Sequence, residues 1–288
     1  MIKTIFVIVS HPLSDLGKGW VGGSIASLVP NSFMLKIDPM MNRIVANNPW
    51  ENEQIMESNA DLQTYQKLGL GIGMDSLLIS GNVLSDFLFA TATHIGTLAQ
   101  YGHPSRALKK NRAQTLDDAS QFLSRLIERR AGERNAENLV VEIGGTVGDP
   151  ESHYIVRALR LLAMENNAEL KWVLLTHFDF QEANVSKEGI KTRIITHAIE
   201  ALRMHCGEPW KVLVRQRLLP FALEKADLHY WKRKISLRGN IPTEKILYVP
   251  NVPGVFALRN FLATELFGLL EWNEKPAAAE AMAKEENG

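Results

Sequence analysis

Six short apolar runs, each rich in β-branched residues and each set apart from the next by enough chain for a helix, constrain this 288-residue chain more than any other feature. They predict strands at Thr4–Val9, Phe33–Ile37, Leu139–Ile143, Trp172–Thr176, Val212–Arg215 and Ile246–Val249. Several are apolar almost throughout rather than alternating with polar residues. A strand of that kind is covered on both faces, which is the condition of a mostly parallel sheet. The intervening segments carry helical periodicity. Ser152–Asn166 places Ile155, Ala158, Leu159 and Leu162 on one stripe, and Lys191–His205 does the same with Ile194, Ala198, Ala201 and Leu202. Thr115–Arg130 opens on TLDD, a capping residue followed by acids in the first turn. The expected class is therefore α/β: a doubly wound, mostly parallel sheet with helices on both faces.

Residues 40–137 break the rhythm, and their convincing elements read as helical. They are expected to form an insertion that packs over the sheet or supplies an oligomer contact. One domain is expected over 1–272. Residues 273–288, rich in alanine and glutamate, read as a disordered tail.

Composition narrows the functional classes. Lysine plus arginine equals aspartate plus glutamate at 32 each. This balance gives no global case for nucleic-acid or membrane binding. The single cysteine, Cys206, excludes an intramolecular disulfide and a multi-cysteine zinc site, and fits a cytoplasmic setting. The apolar N-terminus is short, β-branched and followed directly by a glycine-lysine loop, so it reads as the first strand rather than a signal peptide.

That loop, SHPLSDLGKGW from Ser10 to Trp20, joins a strand to a helix. Such a turn aims backbone N–H groups and the positive end of a helix dipole at an anion. Ser14, Gly17, Lys18 and Gly19 are the candidate phosphate contacts, with Lys18 supplying charge. It is not a Walker A motif: the first glycine is missing and Gly19 stands where a magnesium-binding hydroxyl would follow the lysine. Lys36, in LKIDP, and Glu142, at the start of EIGGTVGDPES, also fall at carboxyl ends of predicted strands. Open α/β sheets bind ligands along that edge.

Taken together, LGKG, LKIDP, DLQTY at Asp61–Tyr65, VVEIGGTVGDPES and EGIKTR at Glu188–Arg193 resemble segments of CTP synthases, in the same order and at similar spacing. The likeness is to the N-terminal amidoligase domain of that family and fades over 66–137 and in the tail. It implies a P-loop-NTPase-like fold that uses ATP with Mg2+ to phosphorylate O4 of UTP, after which ammonia displaces the phosphate. By this resemblance Lys18 and Lys36 would be catalytic, contacting the ATP and UTP phosphates, and Asp61 and Glu142 would hold Mg2+. Asp149 and Glu151 would flank the pyrimidine-nucleotide pocket. Lys191, Thr192, Arg193 and Lys234 would grip the acceptor triphosphate, and Arg215 would lie near the adenine. A homo-oligomer is also implied.

The chain departs from the family at Ser10-His11, at Asp15 and in KTRIIT at Lys191–Thr196. Its only cysteine is not in a glutaminase setting, so nitrogen is expected from ammonia, an amine or a separate glutaminase. The expected function is an ATP-dependent C–N ligase acting on UTP or a related acceptor. The alternative is a non-catalytic nucleotide-binding regulator or scaffold on the same fold; a dethiobiotin-synthetase-like ligase is a third option, disfavoured by GGTVGD.

Overall fold

The computed structural model describes residues 1–38, 60–70, 78–80, 104–149, 152–180, 190–216 and 225–269. In chain order the elements are β1 (Thr4–Ser10), α1 (Lys18–Leu28), β2 (Ser32–Asp38), α2 (Ala60–Lys67), β3 (Leu78–Ser80), α3 (Pro104–Glu133), β4 (Asn138–Ile143) and α4 (His153–Asn166). They continue with β5 (Glu169–His177), β6 (Asp179–Phe180), β7 (Ile190–Lys191), α5 (Arg193–His205), β8 (Pro209–Arg215), α6 (Lys225–Gly239), β9 (Ile246–Val249) and α7 (Val255–Phe267). Among these residues no helix is long and apolar enough to cross a membrane.

Seven strands form one parallel sheet in the order β3-β2-β4-β1-β5-β8-β9. All six predicted strands are present within a few residues of their expected ends. Strand side chains alternate between faces, and the two halves of each strand pack into two separate cores. Ile5, Val7, Leu35, Ile37, Leu139 and Val141 join one core with α3, α4, α5 and α6. Phe6, Ile8, Met34 and Val140 join the other with α1, α2 and α7. The sheet is thus covered on both faces, which is why its strands are apolar throughout.

Three expectations change. β3 pairs in parallel with β2 at the sheet edge, so residues 40–137 are not solely helical. α3 runs from Pro104, so Thr115 lies inside the helix rather than at its cap. The segment 105–114 holds good helix formers without a breaker, and proline is tolerated at a first helical position. The helix expected from Lys191 starts at Arg193, because Ile190 and Lys191 pair antiparallel with Phe180 and Asp179. The predicted tail at 273–288 lies outside the described residues.

The connections fix where a ligand can sit. From β1 the chain passes through α1 to β2, toward one edge; from β4 it passes through α4 to β5, toward the other. β1 and β4 are neighbours, so their following loops diverge and leave a crevice at the strands' carboxyl ends. That is the topological switch point where open α/β sheets bind ligands.

Candidate functional site

The two loops at the switch point are stitched together. Val147 donates its backbone N–H to the Ser10 carbonyl at 2.9 Å. Lys18, the first residue of α1, is buried and donates to Ser10 Oγ at 3.0 Å and to the carbonyls of Ser14 and Gly145 at 2.9 Å each. Burial lowers its pKa, with Glu142 pulling the other way. Gly17, in the left-handed conformation with φ 79°, turns the chain into α1 beside the buried Arg215 guanidinium.

Beside this loop lies a charged cluster whose position follows from register. Lys36 and Glu142 are direct partners across the β2–β4 pair. Their sequence neighbours Leu35, Ile37 and Val141 face the opposite core, so both side chains point to the face covered by α1 and α2. Asp38, two residues beyond Lys36, shares that face. Lys36 Nζ lies 2.5 Å from Asp61 Oδ2, 3.8 Å from Glu142 Oε1 and 3.9 Å from Asp38 Oδ2. Burial alone would lower the lysine's pKa, but Glu142, Asp61 and Asp38 outweigh it and hold it above the ordinary value.

Glu142 is buried beneath α2, and its other oxygen accepts the Tyr65 hydroxyl proton. Burial pushes its carboxyl upward while Lys36 pulls the other way, and burial likewise raises the Tyr65 hydroxyl well above its usual range. An isolated carboxylate in such a place would cost several kcal/mol; a lysine on one oxygen and a hydroxyl on the other offset that cost.

Asp61 and Tyr65 are one turn apart on α2 and arrive together because α1 offers glycines one turn apart. A methyl group on Gly19 would lie 2.1 Å from Asp61 Oδ1, and one on Gly23 would lie 3.2 Å from the Tyr65 ring. Glycine inside a helix costs about 1 kcal/mol relative to alanine. Here its bare backbone lets α2 approach closely enough to deliver both side chains.

The carboxylates of the cluster are of the donor type that suits a small hard cation. Asp61 and Glu142 both face one ammonium, and their donor atoms are oxygen, the type Mg2+ prefers. Among the described residues no three acidic, histidine or cysteine side chains form a closed metal cage. Mg2+ is commonly held by one or two carboxylates, with phosphates and water completing the shell.

The sequence-predicted residues therefore divide. Ser14, Gly17, Lys18, Gly19, Lys36, Asp61 and Glu142 converge, with Arg215 beside Gly17. Asp149 accepts from the Thr146 backbone N–H at 2.6 Å and from its hydroxyl at 3.0 Å, so its described contacts are within its own loop. Glu151 lies outside the described residues. Lys191 and Arg193 are exposed where α5 begins, on the strands' carboxyl side, and Thr192 between them is buried. Lys234 sits 4.5 Å from the Trp231 ring centre and 5.5 Å from that of Tyr230 on its own helix. Trp231 packs against Phe178 and Trp210 against Phe6, as core aromatics. Local sequence pattern alone assigns no role to Asp38, Tyr65 or Ser10. The usable signals were Asp38's strand spacing of two from Lys36 and Tyr65's helical spacing of four from Asp61.

Comparison with known proteins bears on this arrangement. A family model described as CTP synthase N-terminus matches residues 110–270. The CTP synthase of Chlamydia trachomatis serovar L2 is 28% identical over 249 residues, covering 85% of this chain and 43% of that protein. The CTP synthase of Sulfurisphaera tokodaii is 27% identical over 251 residues, covering 83% and 44%. The chain thus spans less than half the length of these relatives. A solved structure of the signal recognition particle 54 kDa protein from Aeropyrum pernix K1 with GDP is similar over 92% of this chain and 46% of that one. Its TM-score is 0.37 and its identity 10%, a likeness too weak to carry an argument.

Proposed function

The chain belongs to the CTP synthase N-terminal family, and from that premise we propose that it is an ATP- and Mg2+-dependent C–N ligase. In this reading it phosphorylates a carbonyl or enol oxygen of UTP or a related acceptor, and ammonia or an amine then displaces the phosphate. The observation that carries the reading is the convergence of Lys18, Lys36, Asp61 and Glu142 at one switch point.

Phosphoryl transfer demands positioning and charge neutralisation more than covalent help from the protein. Lys18, at the N-terminus of α1, would meet the ATP phosphates. To do so its ammonium exchanges its bonds to the Ser14 and Gly145 carbonyls for phosphate oxygens. Lys36 lies deeper, against the carboxylates, and would neutralise the phosphoryl group between donor and acceptor. Asp61 and Glu142 would hold Mg2+, which supplies further neutralisation of phosphate charge when bound. Lys191, Thr192 and Arg193, at the start of α5, and Lys234 on α6 would meet the acceptor's phosphates, with Asp149 and Glu151 near its base.

Cys206 does not serve as a glutaminase nucleophile in this scheme. It is buried, and burial raises its thiol pKa to about 12. Ammonia or an amine, free or delivered by a glutaminase, supplies the nitrogen. Homo-oligomeric assembly and a cytoplasmic setting belong to the same proposal.

The test is direct. Purified protein with ATP, MgCl2, UTP and ammonium chloride should release ADP and phosphate and form CTP, read by ion-exchange chromatography. ADP release only with another acceptor keeps the reaction class and changes the substrate. No turnover with any acceptor defeats the reading.

One observation favours the rival, a non-catalytic nucleotide-binding regulator: Lys18 is fully hydrogen-bonded within the protein. Titration calorimetry separates the two. Nucleotide binding indifferent to Mg2+, with no hydrolysis, supports the regulator.

A further inference from the structure

Lys36 stands where a cation would stand. Its ammonium lies against Asp61 at 2.5 Å and within 4 Å of both Glu142 and Asp38. The lysine side chain is 7% exposed and that of Glu142 2%, whereas that of Asp61 is 29% exposed, so the cluster opens to solvent on the Asp61 side. We propose that Lys36 is an internal placeholder for the divalent cation: it holds the carboxylates while no nucleotide is bound and is displaced toward phosphate when the metal enters with one. The inference rests on reading Asp61 and Glu142 as the metal's ligands.

The argument is one of charge and space. Lys18 and Lys36 face Asp38, Asp61 and Glu142, two positive groups against three negative ones. Adding a divalent cation while Lys36 stays would place an ammonium and a metal against the same oxygens. Two positive charges at such a separation repel each other, and the divalent ion doubles the charge. Lys36 must therefore move before Asp61 and Glu142 can serve the metal.

A triphosphate gives it somewhere to go. Lysine is a flexible point charge that readily changes partner, and the phosphate loop lies beside it. Free metal brings no such acceptor and must compete with the ammonium. The metal therefore binds well only as the metal–nucleotide complex, and Lys36 enforces that order. Two neighbouring features keep the arrangement in register during the exchange. Tyr65 pins the far oxygen of Glu142. Gly144 leaves room for Asp38, whose Cγ would lie 2.6 Å from a methyl group built there.

Mn2+ binding without nucleotide, read by electron paramagnetic resonance, tests the proposal on wild type, Lys36→Met and Lys36→Gln. Removing the competing ammonium should tighten Mn2+ binding at least tenfold in either variant, whichever folds better, although turnover falls. Unchanged or weaker binding in the variants overturns the proposal. A second measurement complements them: an ATP analogue should tighten Mn2+ binding strongly in wild type, and that gain should shrink at least tenfold in Lys36→Met. A gain of equal size in wild type and variant also overturns the proposal. Turnover by wild type is a separate readout, so its absence counts against the ligase reading while Mn2+ affinities still decide this one.

Discussion

Asp61 lies directly against Gly19, one helix resting its carboxylate on the bare backbone of another. A methyl group on that glycine would sit 2.1 Å from Asp61 Oδ1 and 2.7 Å from its Cβ. Because the clash includes the start of the aspartate side chain, α2 itself must shift. Gly19→Ala should therefore cost about 1–3 kcal/mol, the usual range for overpacking. It should also separate Asp61 from Lys36 and reduce Mg2+-dependent nucleotide turnover by at least tenfold. Urea denaturation and a steady-state assay on the same preparation check both parts.

Tyr65→Phe keeps the ring that packs on Gly23 but removes the proton donated to Glu142. A buried acceptor that loses its partner costs about 1–3 kcal/mol. The variant should lose that much in chemical denaturation. Tyr65→Ala, which also empties core volume, should lose more, about 3–5 kcal/mol by analogy with other aromatic truncations. Equal stability of wild type and the phenylalanine variant would mean that the hydroxyl does not support Glu142.

Lys18 links stability to alkaline pH. Its folded-state pKa is lowered, chiefly by burial. Between that lowered value and the ordinary lysine value the unfolded chain binds the extra proton, so stability rises with pH across the window. Its contribution is complete above the ordinary lysine pKa and is lost as pH falls through the lowered folded value. Wild type should therefore gain stability relative to Lys18→Met as pH rises from 8 to 10.5. Paired urea titrations read the difference, and a gap that stays constant or moves the other way contradicts the assignment.

Cys206 should be inert in the native protein. Burial raises its thiol pKa to about 12, leaving almost no thiolate at pH 8. Ellman's reagent at pH 8 should label less than about one-tenth of the native protein within minutes and all of it in guanidinium chloride. Rapid native labelling would show that the C-terminal end of α5 opens easily.

Lys191 and Arg193 are exposed and start the segment that enters α5. If they meet the acceptor's phosphates, each supplies a charge-assisted contact worth about 1.5–3 kcal/mol. Lys191→Ala and Arg193→Ala should then raise KM for the acceptor nucleotide about ten- to hundredfold while stability stays within about 0.5 kcal/mol. Steady-state kinetics with varied acceptor checks the first, and thermal melts the second.

The sequence by itself determined the class and the edge. Unbroken β-branched runs such as TIFVIV and LVVEI can be satisfied only by a sheet covered on both faces, and their positions at strand ends put Lys18, Lys36 and Glu142 on one edge. Those are local properties, set by burial period and chain direction. Tertiary structure decided which groups touch. The three-residue β3 is too short to announce itself by pattern, and it pairs because β2 offers an edge. Asp38 and Tyr65 join the cluster only because β2 and β4 align Lys36 with Glu142 and because Gly19 and Gly23 admit α2. Lys18 was legible as a residue of the loop at that edge, but not its bond to Gly145, 127 residues away. Register and helix approach depend on contacts between distant parts of the chain, and no local pattern encodes them.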